Sequence, residues 1–200
     1  MELQEEFAEN WRSRQEIDHE VRGELPEYWS GIDKKYYLVC PLDEVREELA
    51  DVLSGLKRYG GVETYRTDFL HLTVKMFGEE RPDAERVEDA VSGFDRFKVE
   101  FGGLNVFPQV VFLEALAPEV RTINTALLEE GFSRRLHDGG SYLPHVSLAQ
   151  YSSKNWKNIL QQLSELKPVE VRSIQVEELL LASDDLSELQ SYNEVERFSL

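Results

Sequence analysis

Apolar residues recur at every fourth position from the start of the chain. Leu3, Phe7 and Trp11 step by four, and Val21 and Leu25 prolong the stripe until Pro26 interrupts it. That spacing marks one face of a helix, which proline then stops. Residues 1–30 are therefore expected to form a helical extension packed on the remainder, a partner-binding arm being the alternative. From Tyr36 the period shortens. Tyr36-Tyr37-Leu38-Val39-Cys40 reads as a short buried strand. A helix capped by Asp43 follows through Val45, Leu49, Val52, Leu53 and Leu56, ending at Gly60-Gly61. The pattern then predicts a strand from Phe69 to Phe77 and a helix opened by Pro82 through Val87 and Val91. Next come strands at Phe97–Val106 and Val110–Ala115, separated by Phe107-Pro108. Pro118 opens another helix that ends near Gly131. A strand around His145, a helix over Ser153–Leu166 and strands at Val169–Leu181 and Tyr192–Phe198 complete the chain. Strands and helices alternate without the regular unit of a doubly wound sheet, and no flexible linker divides them. The expected class is α+β, with residues 31–200 as a single domain.

Composition narrows the possible partners. In 200 residues, 22 Lys+Arg oppose 39 Asp+Glu, a formal net charge of −17. A field of that sign disfavours a broad grip on nucleic acid or anionic membranes. It does not oppose a narrow pocket of its own chemistry. The single cysteine, Cys40, excludes an intrachain disulfide and a cysteine metal cluster. No apolar run approaches the ~18 residues of a bilayer span. The acidic opening MELQEEFAEN lacks the basic start of a signal peptide. A cytoplasmic, monomeric protein is expected.

Two of the four histidines share a pattern. His71-Leu72-Thr73-Val74 and His145-Val146-Ser147-Leu148 each carry a hydroxyl two places after the imidazole. Ser and Thr supply 20 of 200 residues, so any one such neighbour is a roughly one-in-ten coincidence, and two among four is uncommon. Residues i and i+2 of a strand face one side. Simple alternation puts His71, Thr73 and Lys75 on one face, with Leu70, Leu72, Val74 and Met76 on the other. It likewise sets His145 and Ser147 opposite Pro144, Val146 and Leu148. Each strand thus presents an imidazole beside a hydroxyl, backed by an apolar face. Two imidazoles that titrate near neutrality suit a phosphodiester, one taking a proton and the other giving one. The hydroxyls and Lys75 would hold the phosphoryl oxygens. A zinc site would want a third ligand, and no HExxH spacing is present. Solvated strand faces are the plain alternative. His19 and His137 read as helix-surface and loop residues. Arg134 and Arg135 are surface charges or an extension of a phosphate-binding patch, and Tyr142 and Tyr151 offer stacking or core packing.

The segments HLTVKMFG (His71–Gly78) and YLPHVSL (Tyr142–Leu148) resemble the paired motifs of the 2H phosphoesterase superfamily, in particular its RNA 2′,3′-cyclic phosphodiesterase, or 2′-5′ RNA ligase, branch. FGGLNVFPQVVFLEA resembles that family's middle strand pair, and SIQVEELLLASDDL with YNEVERFSL its closing strands. The likeness runs from about Tyr36 to the C-terminus, with the motif histidines 145 − 71 = 74 residues apart. It implies a bilobal fold of two antiparallel-sheet lobes with outer helices and a central cleft. It also implies metal-independent, cofactor-free opening of a 2′,3′-cyclic phosphate on an RNA terminus or nucleotide, leaving a 2′-phosphate, with 2′-5′ joining as the reverse reaction. In that scheme His71 is the general acid and His145 the general base, Thr73 and Ser147 hold the phosphate, and Lys75 and Tyr142 contact the substrate. Gln150 stands where many relatives carry arginine. Rival readings are cleavage of 2′-5′ oligonucleotides or small cyclic nucleotides, and a non-catalytic nucleotide- or RNA-binding module.

Overall fold

The computed structural model describes residues 2–16, 34–107, 109–132, 142–151, 156–165, 169–185 and 192–200. Helix α1 covers Leu3–Glu16 and is followed among the described residues by β1 (Lys34–Cys40). A 3-10 turn at Asp43–Val45 leads into α2 (Arg46–Leu56), then β2 (Val62–Thr64), a 3-10 turn at Thr67–Phe69, and β3 (Leu72–Gly78). The order continues with α3 (Ala84–Val91), β4 (Phe97–Phe107), β5 (Val110–Leu116), α4 (Pro118–Glu129), β6 (His145–Tyr151), α5 (Trp156–Glu165), β7 (Ile174–Val176), β8 (Glu178–Asp185) and β9 (Asn193–Ser199).

The nine strands form one antiparallel sheet in the order β7-β4-β5-β6-β3-β1-β8-β9, with β2 added on β6. The two expected sheets are thus joined, and the seam is narrow. β3 and β6 pair only at Leu72↔Val146. The largest set of buried apolar side chains lies between the sheet and its helices: Leu38 and Leu72, Val106 and Leu113 from strands, Leu49, Val87, Ile123 and Ile159 from helices. A smaller group of Tyr37, Val39, Leu180 and Ala182 lies apart from it, with Met76 and Tyr192 packed against it.

Several local expectations are corrected. Asp43 does not cap α2. It opens the 3-10 turn, the helix begins after Val45 without a side-chain cap, and Asp43 pairs with Arg46 instead. Pro82 lies before the true cap of α3, Asp83, whose carboxylate accepts the Glu85 N–H at 3.1 Å. The strand expected from Phe69 begins at Leu72, because Thr67–Phe69 coil into a 3-10 turn. The expected Val169–Leu181 strand divides into β7, which pairs with β4, and β8, which pairs with β1. The short strand β2 falls between the expected helix end at Gly60-Gly61 and the expected strand from Phe69. Val21, Leu25 and Pro26 of the N-terminal stripe, and His19, Arg134, Arg135 and His137, lie outside the described residues.

Candidate active site

The seam between β3 and β6 brings the two histidine motifs together. Leu72 and Val146, the paired residues, are fully buried. His71 and His145 each precede one of them, and Thr73 and Ser147 each follow. All four are partly exposed, as alternation across a half-buried sheet requires.

Both imidazoles are fixed by the same local device. His71 Nδ1 lies 2.8 Å from the carbonyl oxygen of Phe69, and His145 Nδ1 lies 2.8 Å from that of Leu143. A carbonyl only accepts, so Nδ1 carries hydrogen in both cases. Nε2 is then the nitrogen that gains and loses a proton. Rings complete each cradle. Tyr37, Phe69 and Tyr192 stand 5.8, 5.5 and 5.6 Å from His71, centre to centre. Phe107, Phe112 and Tyr142 stand 4.9, 5.2 and 6.1 Å from His145. Burial holds the His71 imidazole below its ordinary value, since desolvation disfavours the charged ring, and the Phe69 carbonyl opposes this only in part.

Beyond the hydroxyls, both strands break their alternation at the same step. Val39 stands opposite Thr73 and Leu38 opposite Lys75, so Val74 is an extra residue on β3. Phe112 stands opposite Ser147 and Val111 opposite Ala149, so Leu148 is an extra residue on β6. Such a bulge turns every later side chain to the other face. Lys75 is the first casualty of the expected pattern. It shares the face of Leu38, a core residue, and is 1% exposed. Lys75 is thus buried at a core-face position and not presented beside His71. Met76 moves the opposite way, to the face of Tyr37. On β6, Gln150 takes the matching position and donates from Nε2 to the Tyr65 hydroxyl at 2.7 Å. Tyr65 packs its ring 5.5 Å from that of Phe69.

Tyr142 lies in the interior. It is 2% exposed, and its hydroxyl donates to the backbone carbonyl of Thr73. It therefore ties one motif to the other from within and has no surface to offer a base. Tyr151 is 5% exposed and donates to the Phe107 carbonyl at 2.6 Å, a packing role. Among the described residues, no group of three or more His, Cys, Asp and Glu side chains is arranged to hold a metal ion. No helix among them is long and apolar enough to cross a membrane.

Residues 41–187 match the family model described as the 2′-5′ RNA ligase superfamily. The chain belongs to that superfamily. Two relatives named RNA 2′,3′-cyclic phosphodiesterase are each 28% identical to this member. The one from Methanothermobacter thermautotrophicus aligns over 76% of this chain and 90% of its own length. The one from Aeropyrum pernix aligns over 63% and 78%. Among solved structures, Escherichia coli LigT complexed with 3′-AMP superposes with a TM-score of 0.59 at 18% identity, covering 84% of this chain and 97% of LigT. TT0787 of Thermus thermophilus gives 0.58 at 20% identity, covering 83% and 97%. These likenesses show a shared α+β fold. Within this superfamily member, the residues that sequence reading missed are those around the histidines: Tyr37, Phe69, Phe107, Phe112 and Tyr192. Phe69, two places before His71, offers its carbonyl as well as its ring. No side-chain pattern signals a carbonyl, so only the backbone path reveals it.

Proposed function

We propose that this superfamily member hydrolyses the 2′,3′-cyclic phosphate of an RNA terminus or nucleotide to a 2′-phosphate. The reading is supported above all by the matched holding of the two imidazoles, each through Nδ1 by the carbonyl two residues back and each beside a hydroxyl. Binding alone needs no such pair of oriented proton carriers. The names of the two relatives point the same way.

In the proposed reaction His145 Nε2 takes a proton from water as its oxygen bonds to phosphorus. The bond from phosphorus to the 3′-oxygen breaks, and His71 Nε2 delivers its proton to that oxygen. One proton is taken up and one is given away, so the pair's total is unchanged with His145 now protonated and His71 neutral, and proton exchange with solvent restores the starting state. Thr73 and Ser147 donate to the non-bridging oxygens. The cyclic diester carries a single negative charge, which a protonated His71 balances without a lysine. The assignment of acid and base follows the resemblance. In the joining direction the two roles exchange.

Purified protein is incubated with 2′,3′-cyclic nucleotides in excess chelator, beside His71→Ala and His145→Ala. Turnover of the parent in chelator is expected, with each substitution lowering kcat by about 10²–10⁴-fold. Loss of parent activity in chelator, or survival of activity in either variant, would sink the proposal.

A further inference from the structure

We infer that helix α1, which lies wholly outside the family-matched residues 41–187, is a positioning element for His145, acting through Glu6 and Phe7. Two chains of contact lead from α1 to that imidazole.

The first is polar. The Glu6 carboxylate takes both ends of the Arg121 guanidinium, at 2.9 and 2.7 Å. Arg121 then donates from Nε to the Tyr142 carbonyl at 2.7 Å. The next carbonyl along the chain, that of Leu143, is the one that holds His145 Nδ1. The one after, that of Pro144, accepts from the Ala115 N–H at 3.1 Å. The clamp on His145 is thus a peptide fixed on both sides, and Arg121 fixes one of them. The pair is well shielded, at 16% and 17% side-chain exposure. In such surroundings a fork-shaped ion pair is stronger and more directional than one in open solvent.

The second chain is packed. Phe7 is 1% exposed and sets its ring 6.1 Å from Phe112, which is itself 5.2 Å from His145 and stands opposite Ser147. Asn105 locks the backbone beneath. Its Nδ2 donates to the Phe7 carbonyl at 3.0 Å and to Glu114 Oε1 at 2.8 Å, while its Oδ1 accepts from Asn10 Nδ2 at 2.8 Å. Glu114 stands opposite His145 in the β5–β6 register. α1 therefore rests on the same sheet face that carries His145 and Ser147.

The inference rests on the reading of His145 as a proton-transferring group, and the test separates the two. Parent, Glu6→Gln, Phe7→Leu, Arg121→Lys and the outward-facing control Glu9→Gln are compared by thermal unfolding, by kcat and KM on a 2′,3′-cyclic nucleotide, and by NMR titration of the His145 imidazole. Folded Glu6→Gln and Arg121→Lys are expected to lose about tenfold or more in kcat with KM within about twofold, as displaced but intact machinery does. They are also expected to shift the His145 titration. Lysine keeps the charge of Arg121 but not the fork that reaches Glu6 and Tyr142 together. Phe7→Leu, which keeps an apolar filler, is expected to lose less. Glu9→Gln is expected to match the parent. Folded Glu6→Gln and Arg121→Lys with parental kcat and an unmoved His145 signal overturn the inference. A parent that opens no cyclic phosphate, but whose His145 titration still moves with Glu6→Gln, overturns the proposed function and leaves the positioning role standing.

Discussion

Tyr142 separates two kinds of role cleanly, because one atom distinguishes them. Its hydroxyl crosses from the approach to β6 to the Thr73 carbonyl on β3, and its ring lies against His145. Burial pushes the phenol's pKa up, so it stays protonated and donating at any working pH. Tyr142→Phe keeps the ring and removes only that donor. The lost bond costs about 0.5–1.5 kcal/mol net, and up to about 3 if the Thr73 carbonyl finds no other partner. For a chain of this length each kcal/mol lowers Tm by roughly 2–4 °C. The expected result is a Tm lower by a few degrees, a modest fall in kcat as the two motifs lose their tie, and an unchanged KM. Tyr142→Ala, which also empties the buried ring site, is expected to cost about 3–5 kcal/mol. Calorimetry and steady-state kinetics on a cyclic nucleotide measure both. A substrate-contacting tyrosine gives the opposite signature: Tm unmoved and KM raised about fivefold, the ratio that ~1 kcal/mol supports. That signature for Tyr142→Phe would refute the internal brace.

Two further outcomes follow from the same geometry. His71 is held below its ordinary value, yet the general acid proposed for this reaction must be protonated. The alkaline limb of kcat/KM, which reports the unliganded protein, is therefore expected below the ordinary imidazole value of ~6.5. The limb of kcat is expected higher, because the bound monoanion favours the charged ring. The two limbs belong to the histidine pair, so NMR of His71 checks the assignment, and an alkaline limb above ~6.5 that is identical in both profiles counts against it. The stability sign agrees. The unfolded chain takes up the proton first as pH falls through the window below ~6.5, so folding weakens there. Gly102→Ala would place a methyl carbon 2.5 Å from Glu114 Oε2 and 3.0 Å from Glu114 Cβ. The carboxylate yields only by leaving the Gly103 N–H at 3.0 Å and Asn105. A cost of about 1–3 kcal/mol is expected, read as a lower Tm; a variant as stable as the parent would show that Glu114 is not held as described.

The histidine motifs were legible in the sequence because their chemistry and their period agree up to the hydroxyl. His71 and Thr73 share one face, Leu72 and Val74 the other, and the same holds for His145, Ser147, Val146 and Leu148. The helices were legible wherever an apolar stripe of period near 3.6 met a start signal, as at Pro118, the first residue of α4. Lys75 was misplaced for a specific reason. Period two is a sound rule only while each residue opposes one partner, and Val74 is an extra residue with no claim on that count. Once a bulge is allowed at Val74 and Leu148, the burial of both strands follows in step. Thr73 and Ser147 are partly exposed, the next two residues are buried, and Met76 and Gln150 are partly exposed again. A bulge on a core-packed strand has no composition of its own, so only the partner strand reveals it. The repetition at the same step in both motifs argues that the bulge belongs to the site. It ends the histidine-hydroxyl face after two residues and brings a third, Gln150 or Met76, to its edge. The neutrality of that third position bears on the charge of −17. With Lys75 on the core face and Gln150 bonded to Tyr65, the cation proposed at the motif face among the described residues is a protonated imidazole. On the proposed reading, affinity for a phosphate follows the protonation of that group, and the ligand is a single phosphodiester, the size that an acidic surface leaves room for.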